Sequence, residues 1–254
     1  MTVSKKIVLL CVLVLTLKTF SQGIVTDRPD QTESSITVSK NDFQIESGVL
    51  YQKIDYSNSF FGPSTLLRYG ITNGIELRFV FQHESTKIEL DGVDIKYSGF
   101  NDLEFGTKIQ LLKKEAINTE MAFLSHVIIP TAKENLSSNR VGIVNKLSIS
   151  HIISDKIGLG YNIGYDYVGR QSSLTYSAAL GIQLSNSLDF YVEPYGEWGE
   201  SNNFESNFDV GFSYLVNDNF QLDTSYGVGL NNDMQYLALG FSWKIQHFLV
   251  KKKA

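Results

Sequence analysis

Apolar and polar side chains alternate with a period of two along almost the whole chain from residue 42 onward. In residues 75–84 the apolar positions are Ile75, Leu77, Phe79 and Phe81, and the positions between them are Glu76, Arg78, Val80 and Gln82. Such alternation gives a β-strand one apolar face and one polar face. About twelve segments carry the pattern, and they cover residues 42–55, 64–71, 75–84, 100–112, 116–129, 141–153, 157–168, 173–184, 188–198, 206–216, 220–230 and 234–246.

The connections between these segments alternate in length. Every second one is a tight turn of polar residues, often Asn, Asp or Gly, which tolerate the positive φ that such turns require. These turns are 72–74, 113–115, 154–156, 185–187 and 217–219. The intervening connections are longer, notably 85–99 and 130–140. Short turns at one end and long loops at the other are typical of outer-membrane barrels. We therefore predict an all-β fold, a transmembrane antiparallel up-and-down β-barrel of about twelve strands over residues 42–248, with both termini periplasmic and the two long loops outside.

The two faces of the strands differ in a way that suits a membrane. Leu, Ile, Val and Phe occupy one face, which we assign to outer-membrane lipid, and Gly and polar residues occupy the other, which we assign to the lumen. The last strand places Leu237, Leu239, Phe241, Trp243 and Ile245 on one face. With Phe248 it resembles the C-terminal signal that barrel-insertion machinery reads, although a basic tail, residues 249–254, departs from that pattern.

The N-terminus has the organisation of a secretory signal peptide. Lys5 and Lys6 precede the apolar run 7–17, and Ser21 offers a small residue at the cleavage position. The run is too short to span a membrane as a helix, and it continues past Cys11, which argues against lipidation at that residue. We predict a signal peptide over residues 1–21, which implies export.

Composition and charge exclude several classes of protein. The chain is 43% apolar and 19% charged, with 16 Phe, 13 Tyr and 20 Gly, which favours a folded, strand-rich protein. Its net charge is −5, and it falls to about −8 without the predicted signal peptide, so nucleic acid is not an expected partner. The one cysteine lies in the signal peptide, the four histidines lack zinc spacing, and the Gly-x-Gly pairs lie inside strands. We expect no cofactor.

A polar stretch, residues 22–41, precedes the first predicted strand and has neither helical nor strand periodicity. Its charged residues are too polar for lipid. They would lie in the periplasm as a linker or fold back into the lumen as a small plug, and the sequence leaves both alternatives open. In the second case Arg28 could pair with an inward carboxylate such as Glu76, Glu104 or Glu193.

Charged residues on the lumen face are the functional candidates. We single out Glu76, Arg78, Glu104, Lys108, Glu120 and Glu193, which either cross-link the lumen as ion pairs or set its selectivity. Acids outnumber bases there, so we expect passive, weakly cation-preferring passage of an unidentified small solute. A structural or adhesive barrel with a filled lumen is the alternative.

An enzymatic role would need a catalytic group on the barrel. Some twelve-stranded barrels are phospholipases that use a Ser-His-Asn arrangement on the lipid face. The predicted strands would place Ser125 opposite Asn145 on that face, but His126 would point inward and His151 would lie near the opposite end. Because no histidine completes such a site, we predict that the protein is not an enzyme, lipid-modifying or otherwise.

The polar stretch also carries a resemblance to a known family. The string Ile24 to Ser34, whose characteristic residues are Thr26, Asp27, Arg28, Pro29, Asp30, Thr32 and Glu33, resembles the start of a Bacteroidetes-type outer-membrane barrel family. That family is labelled as transporters or as "MetA-pathway of phenol degradation" proteins. The resemblance implies an outer-membrane, porin-like channel for small, aromatic or hydrophobic solutes.

Overall fold

A computed structural model describes residues 23–200 and 203–249 of the chain. The predicted signal peptide, residues 1–21, and all but Leu249 of the predicted basic tail lie outside these residues. Within them, no helix is long and apolar enough to cross a membrane.

The described residues form thirteen antiparallel strands in one closed sheet. The strands are β1 Phe43–Ile54, β2 Ser57–Thr72, β3 Ile75–Leu90, β4 Val93–Phe100, β5 Leu103–Lys114, β6 Thr119–Ile129, β7 Gly142–Ser154, β8 Ile157–Val168, β9 Gln171–Gln183, β10 Leu188–Gly199, β11 Phe204–Asn217, β12 Phe220–Gly229 and β13 Met234–Ile245. The first and last strands pair along their whole length and close the barrel.

The barrel wall is twelve strands around, because β4 and β5 together occupy one strand position. β4 pairs with the C-terminal half of β3, whereas β5 pairs with the N-terminal half of β3 and with β6. Asn101 and Asp102 separate the two parts, and the backbone N–H of Asn101 donates to Gln82. The prediction of a twelve-stranded antiparallel barrel is confirmed.

Burial in this barrel is the reverse of burial in a soluble protein. The fully buried side chains are mostly polar or charged, and among the largest are Arg68, Lys108, Gln44, Glu46, Glu76, Glu193 and Asp209. Exposed side chains include many large apolar ones, such as Ile163, which is 61% exposed in the middle of β8. On β13, Leu237, Leu239 and Trp243 point outward. A polar interior and an apolar outer belt are what a barrel in lipid requires.

Two of the predicted long connections are wrong in kind. Residues 57–63 belong to β2, residues 85–90 belong to β3 and residues 93–99 belong to β4, and these strands form a β2–β3–β4 ribbon. Short turns at 55–56 and 91–92 connect β1 to β2 and β3 to β4. The period-two pattern was hard to follow there because the outward face of the ribbon changes from apolar to charged. Its outward residues are Lys87, Glu89, Asp94 and Lys96. Such a face is suited to water beyond the lipid.

The two ends of the barrel are therefore distinct. We call the end with the β2–β3–β4 ribbon and the 130–141 connection the loop end, and the opposite end the turn end. At the turn end, the predicted turn at 113–115 begins later, because β5 extends to Lys114 and a short 3₁₀ turn, Glu115–Ile117, follows it. The other four predicted turns lie between strands as expected.

Adjacent residues of β3 provide a test of the two faces. Phe79 packs outward against Phe105 with ring centroids 4.6 Å apart, whereas Val80 lines an internal cavity and is paired with Glu104. Phe79→Arg places a charge at mid-height in lipid, which costs roughly 2–4 kcal/mol. We expect urea unfolding in lipid vesicles to show that loss. Val80→Arg, with a carboxylate opposite, should change stability much less, and equal effects at both positions would contradict the face assignment.

Candidate functional site: the lumen and the N-terminal segment

The N-terminal segment, residues 23–42, lies inside the barrel and enters from the turn end. The backbone N–H of Ile24 donates to the carbonyl of Asp218 at 3.0 Å, and Thr37 and Lys40 donate to Asn73, so both ends of the segment contact turns at that end. Its middle lies deeper, where Thr32 and other side chains are buried. The segment thus folds up into the lumen and returns to begin β1.

Asp27 is bound by three cations that come from three neighbouring strands. Its Oδ2 lies 2.6 Å from Nη1 of Arg78, 2.7 Å from Nζ of Lys108 and 3.2 Å from Nη1 of Arg68. Burial opposes the charged form of Asp27, but the attraction of the three cations is stronger in sum and holds its pKa well below the ordinary value. Asp27 is therefore an ionised anchor.

The register of the sheet explains why so many carboxylates gather here. Arg68 and Arg78 are directly opposite each other on β2 and β3, an unfavourable like-charge pair. Carboxylates surround them: Arg68 binds Glu46 at 2.8 Å and Glu76 at 2.9 Å. Arg78 also binds Glu76, at 2.9 Å. The strands alone supply two acids for the three bases of this cluster.

The segment supplies the missing negative charge. Asp27 is one contribution, and Glu33 is the other, with its Oε2 at 2.9 Å from Arg78 and 3.3 Å from Lys108. The predicted lumen residues Glu76, Arg78 and Lys108 therefore lie in one network, which we call the ionic cluster and define as Asp27, Glu33, Glu46, Arg68, Glu76, Arg78 and Lys108. A network of buried charges is stable only when each charge is paired.

Arg28 lies over two glycines and pairs with a residue that we did not predict. Its Nη2 lies 2.9 Å from Oδ1 of Asp223 on β12, not near Glu76, Glu104 or Glu193. Gly48 and Gly240 face each other across β1 and β13, and a Cβ on either would meet the guanidinium within 2.5 Å. Because neither glycine has a side chain, the Arg28 guanidinium can lie against the wall at this point and reach Asp223.

The middle of the segment, residues 31–33, contacts the opposite wall. The N–H of Gln31 donates to Glu193 at 2.6 Å, and the Thr32 hydroxyl donates to the same carboxylate. Asn162 exchanges two hydrogen bonds with the backbone of Glu33, at 2.7 and 3.1 Å. The contacts thus extend from β1 to β3, across β5, to β8 and β10, and they span the lumen.

The other predicted residues lie apart from these contacts. Glu104 accepts a hydrogen bond from Nδ1 of His126 at 3.0 Å on the loop side of the ionic cluster. Glu120 pairs with Lys113 at 3.3 Å near the turn end. Thr26 accepts a hydrogen bond from Gln221 at 3.1 Å. Pro29 and Asp30 line a cavity of about 460 Å³ at the turn end.

Cavities lie on both sides of the segment. At the turn end a cavity of about 640 Å³ is bounded by Asp30, Ile36 and the wall of β6 to β10. On the loop side a cavity of about 330 Å³ is bounded by Asp27 and Glu33 together with Glu104, His126 and other wall residues. The segment therefore separates two spaces within one barrel.

The serine and asparagine considered for a lipid-face enzyme do meet. Ser125 Oγ donates to Asn145 Oδ1 at 2.9 Å, as the register predicts. His126 points inward, where Arg78 Nε donates to its Nε2 at 3.0 Å. His151 instead bonds Thr119 and Tyr161.

Comparison with protein families agrees with this architecture. Residues 26–245 match the family described as "Putative MetA-pathway of phenol degradation". The chain belongs to this family. The match begins at Thr26, so the family pattern includes the segment as well as the barrel, and the resemblance inferred from the segment is confirmed.

Solved structures show the same fold at low identity. The NanC porin is similar with a TM-score of 0.55 and 9% identity over 79% of this chain and 100% of that chain. The KdgM porin in complex with disordered oligogalacturonate gives 0.53 and 10% over 79% and 98%. The β domain of the Bordetella autotransporter BrkA gives 0.52 and 10% over 80% and 99%. No curated protein sequence matches the chain. The closed barrel, with its polar interior and apolar outer belt, supports an outer-membrane location.

Sequence reasoning missed Arg68 and Glu46 as participants in the site, and it did not predict the pairing of Arg28 with Asp223. All of these strand residues occupy inward positions of the period-two pattern, so the signal was present in the strands. Their importance comes from which charge lies opposite them, and that depends on the register and on barrel closure. A local pattern does not contain this information.

The glycine pocket for Arg28 can be tested with a thiol reporter. Ser35 is fully buried in the segment, so a Ser35→Cys protein should react slowly with a maleimide while the segment is docked. Gly240→Ala puts a Cβ 2.2 Å from the Arg28 guanidinium and should weaken its bond to Asp223, a loss of about 1–3 kcal/mol. We expect faster labelling. Gly158→Ala, whose Cβ meets nothing closer than 3.8 Å, is the matched control and should not change the rate.

Proposed function

We propose that this protein is a passive outer-membrane channel for small solutes, and that the N-terminal segment closes its lumen. The observation that carries the proposal is a polar lumen with cavities at both ends that meet at the segment and its side-chain contacts. Export by the predicted signal peptide, a surrounding of outer-membrane lipid and assembly by barrel-insertion machinery would accompany this function.

The segment is built to be separable from the wall. It belongs to none of the strands, and most of its contacts are hydrogen bonds and ion pairs to inward side chains. Backbone contacts occur mainly near its ends, at Ile24 and Asn41. Withdrawal of residues 24–34 would therefore leave the hydrogen-bonded ladder of the barrel intact.

The charges of the loop end support a weak preference for cations. A cavity of about 640 Å³ there is lined by Asp166, Glu197, Glu200 and Glu205. The basic residues Arg68, Arg78 and Lys108 are neutralised within the ionic cluster. A ring of carboxylates at a mouth attracts cations and repels anions. Such a mouth is poorly suited to a polyanion like the oligogalacturonate bound by the KdgM porin.

Neutral apolar or aromatic solutes fit this mouth better. The inner face of the β2–β3–β4 ribbon carries Ile88, Leu90, Val93, Ile95 and Tyr97, which share that face with inward Thr86. An apolar surface beside the loop-end opening would favour such solutes through the hydrophobic effect. The description of the family, which refers to phenol degradation, is in keeping with this choice.

A structural or adhesive barrel that never conducts is the second candidate. The ionic cluster favours it, because a lumen filled with paired charges is rigid and needs no solute. The Ser125–Asn145 pair supports no enzymatic role, since a catalytic histidine would have to lie beside it on the lipid face. His126, the histidine next to Ser125 in the sequence, faces the lumen. Conductance distinguishes the two candidates.

A disulfide tether tests whether the segment closes the channel. Ser35 Oγ lies 2.8 Å from Ser150 Oγ on β7, so cysteines at both positions are close enough to form a disulfide. In planar bilayers we expect the oxidised double variant to have the lowest conductance, and reduction to return it to the wild-type level. Deletion of residues 24–34 should raise conductance.

The deletion needs a folding control and has two contrary outcomes. Heat-modifiable mobility on gels reports whether the shortened barrel still folds. Unchanged conductance after deletion would mean that the segment is a linker. A folded barrel that does not conduct with or without the segment would support the structural or adhesive function.

The selectivity expectation is tested at the loop end. Glu76 and Glu193 bind the ionic cluster or the segment, so they are unsuitable targets, in contrast to the sequence-based choice of selectivity residues. Asp166→Asn, Glu197→Gln and Glu205→Gln together should lower the K⁺/Cl⁻ permeability ratio measured from reversal potentials. Glu120→Gln, at the turn end, is the matched control. A ratio that is equal in both proteins would contradict an acidic selectivity mouth.

A further inference from the structure

Two carboxyl groups face each other in the lumen on adjacent strands. Glu193 of β10 and Asp209 of β11 are directly opposite in the register, point inward and are fully buried. Opposed side chains at such positions have Cβ atoms about 4.5–5.5 Å apart. Two buried carboxylates at this separation repel strongly, so one of them is favoured in its protonated form.

The surroundings of the pair contain acids and tyrosines. From the segment, Asp30 directly precedes Gln31, whose N–H binds Glu193, and it lines one cavity with Tyr191 of β10. The Arg28 guanidinium is bound to Asp223 of β12. The phenols that face the pair are Tyr191 and Tyr195 of β10 and Tyr236 of β13. The ion-paired bases of the lumen, Arg28, Arg68, Arg78 and Lys108, each bind other carboxylates.

The hydrogen bonds indicate which carboxyl carries a proton. Both oxygens of Glu193 accept, from the N–H of Gln31 and from the hydroxyl of Thr32, as expected of a carboxylate. Asp209 Oδ2 accepts from the hydroxyl of Tyr236, whereas Asp209 Oδ1 is buried and has no hydrogen-bond partner among residues 23–200 and 203–249. A proton on Oδ1 would remove the repulsion and allow Asp209 to donate.

We propose that Asp30, Glu193 and Asp209 form a proton latch that holds the N-terminal segment in the lumen and releases it when pH rises. The inference rests on the proposed closure of the channel by the segment. With the shared proton bound, Glu193 holds Gln31 and Thr32, and Asp30 lies against the pair. Without it, three carboxylates in one part of the lumen repel, and the carboxylate that can leave is Asp30, which belongs to the segment and not to the wall.

The direction of the effect follows from linkage. Burial, together with Glu193 and then Asp209, raises the pKa of Asp30 well above the ordinary value, so the docked state binds more protons than the released state, in which Asp30 is in water. Docking is therefore complete at low pH and weakens as pH rises through the raised pKa. Asp27 behaves differently because its cations hold its pKa well below the ordinary value, so Asp27 stays ionised throughout this pH range.

The Ser35→Cys reporter measures release directly. Its maleimide labelling rate is measured at each pH from about 5 to about 9. Each rate is divided by the rate of the same reporter in an Asp30→Asn/Asp209→Asn background at the same pH, so that the thiolate fraction cancels from the ratio. The double variant keeps Glu193 as the one carboxylate with its two donors. We expect a rate ratio near unity at the low end that rises at least about tenfold at the high end, since each pH unit between the ordinary pKa of released Asp30 and its raised pKa in the docked state changes the docking equilibrium about tenfold per proton. A flat ratio would overturn the latch.

Two controls separate the latch from other titrations. Asp166→Asn removes a loop-end acid that does not contact the segment, and His126→Gln removes the histidine beside Arg78 and Glu104. Both should retain the pH response, and its loss in either would overturn the assignment to Asp30, Glu193 and Asp209. Conductance recorded in parallel separates this inference from the proposed function: labelling that rises with pH in a barrel that never conducts supports the latch and contradicts the channel.

Discussion

The pairing of like charges across the inner wall is the constraint on which the rest of this structure depends. A barrel in lipid turns its polar side chains inward, and the sheet register places Arg68 opposite Arg78, where both side chains are buried. The wall supplies Glu46 and Glu76, and the segment supplies Asp27 and Glu33. The segment is therefore part of the electrostatic core of the barrel, since Asp27 and Glu33, the carboxylates that bind Lys108, come from the segment.

Much of the fold could be predicted because its signal is local. Period-two alternation identifies a strand and its faces from a few residues, and it held from β5 to β13 with errors of a few residues. It was incomplete in the ribbon, where Lys87 and Glu89 take outward positions that are apolar nearer the membrane. A pattern that assumes one environment misses a strand that passes from lipid into water.

The site was less predictable because its contacts join distant parts of the chain. The string at Asp27 to Glu33 is recognisably too polar for lipid, but Arg28 and Asp223 meet across 195 positions of sequence only because β1 closes on β13. Gly48 and Gly240 carried a usable signal, since paired inward glycines make room for something. What fills that room is visible only once the register is known.

The fold itself leaves the role of the lumen undetermined. Porins and an autotransporter β domain share it with this chain at about 10% identity. What differs is the content of the barrel. Here Asp27 and Glu33 are held by opposite charges, whereas Asp30 between them meets carboxyl groups of its own sign. A plug held only by attraction would be a permanent part of the wall. The repulsion beside Glu193 and Asp209 makes the docked state conditional, and a conditional plug is what a channel, rather than an inert barrel, requires.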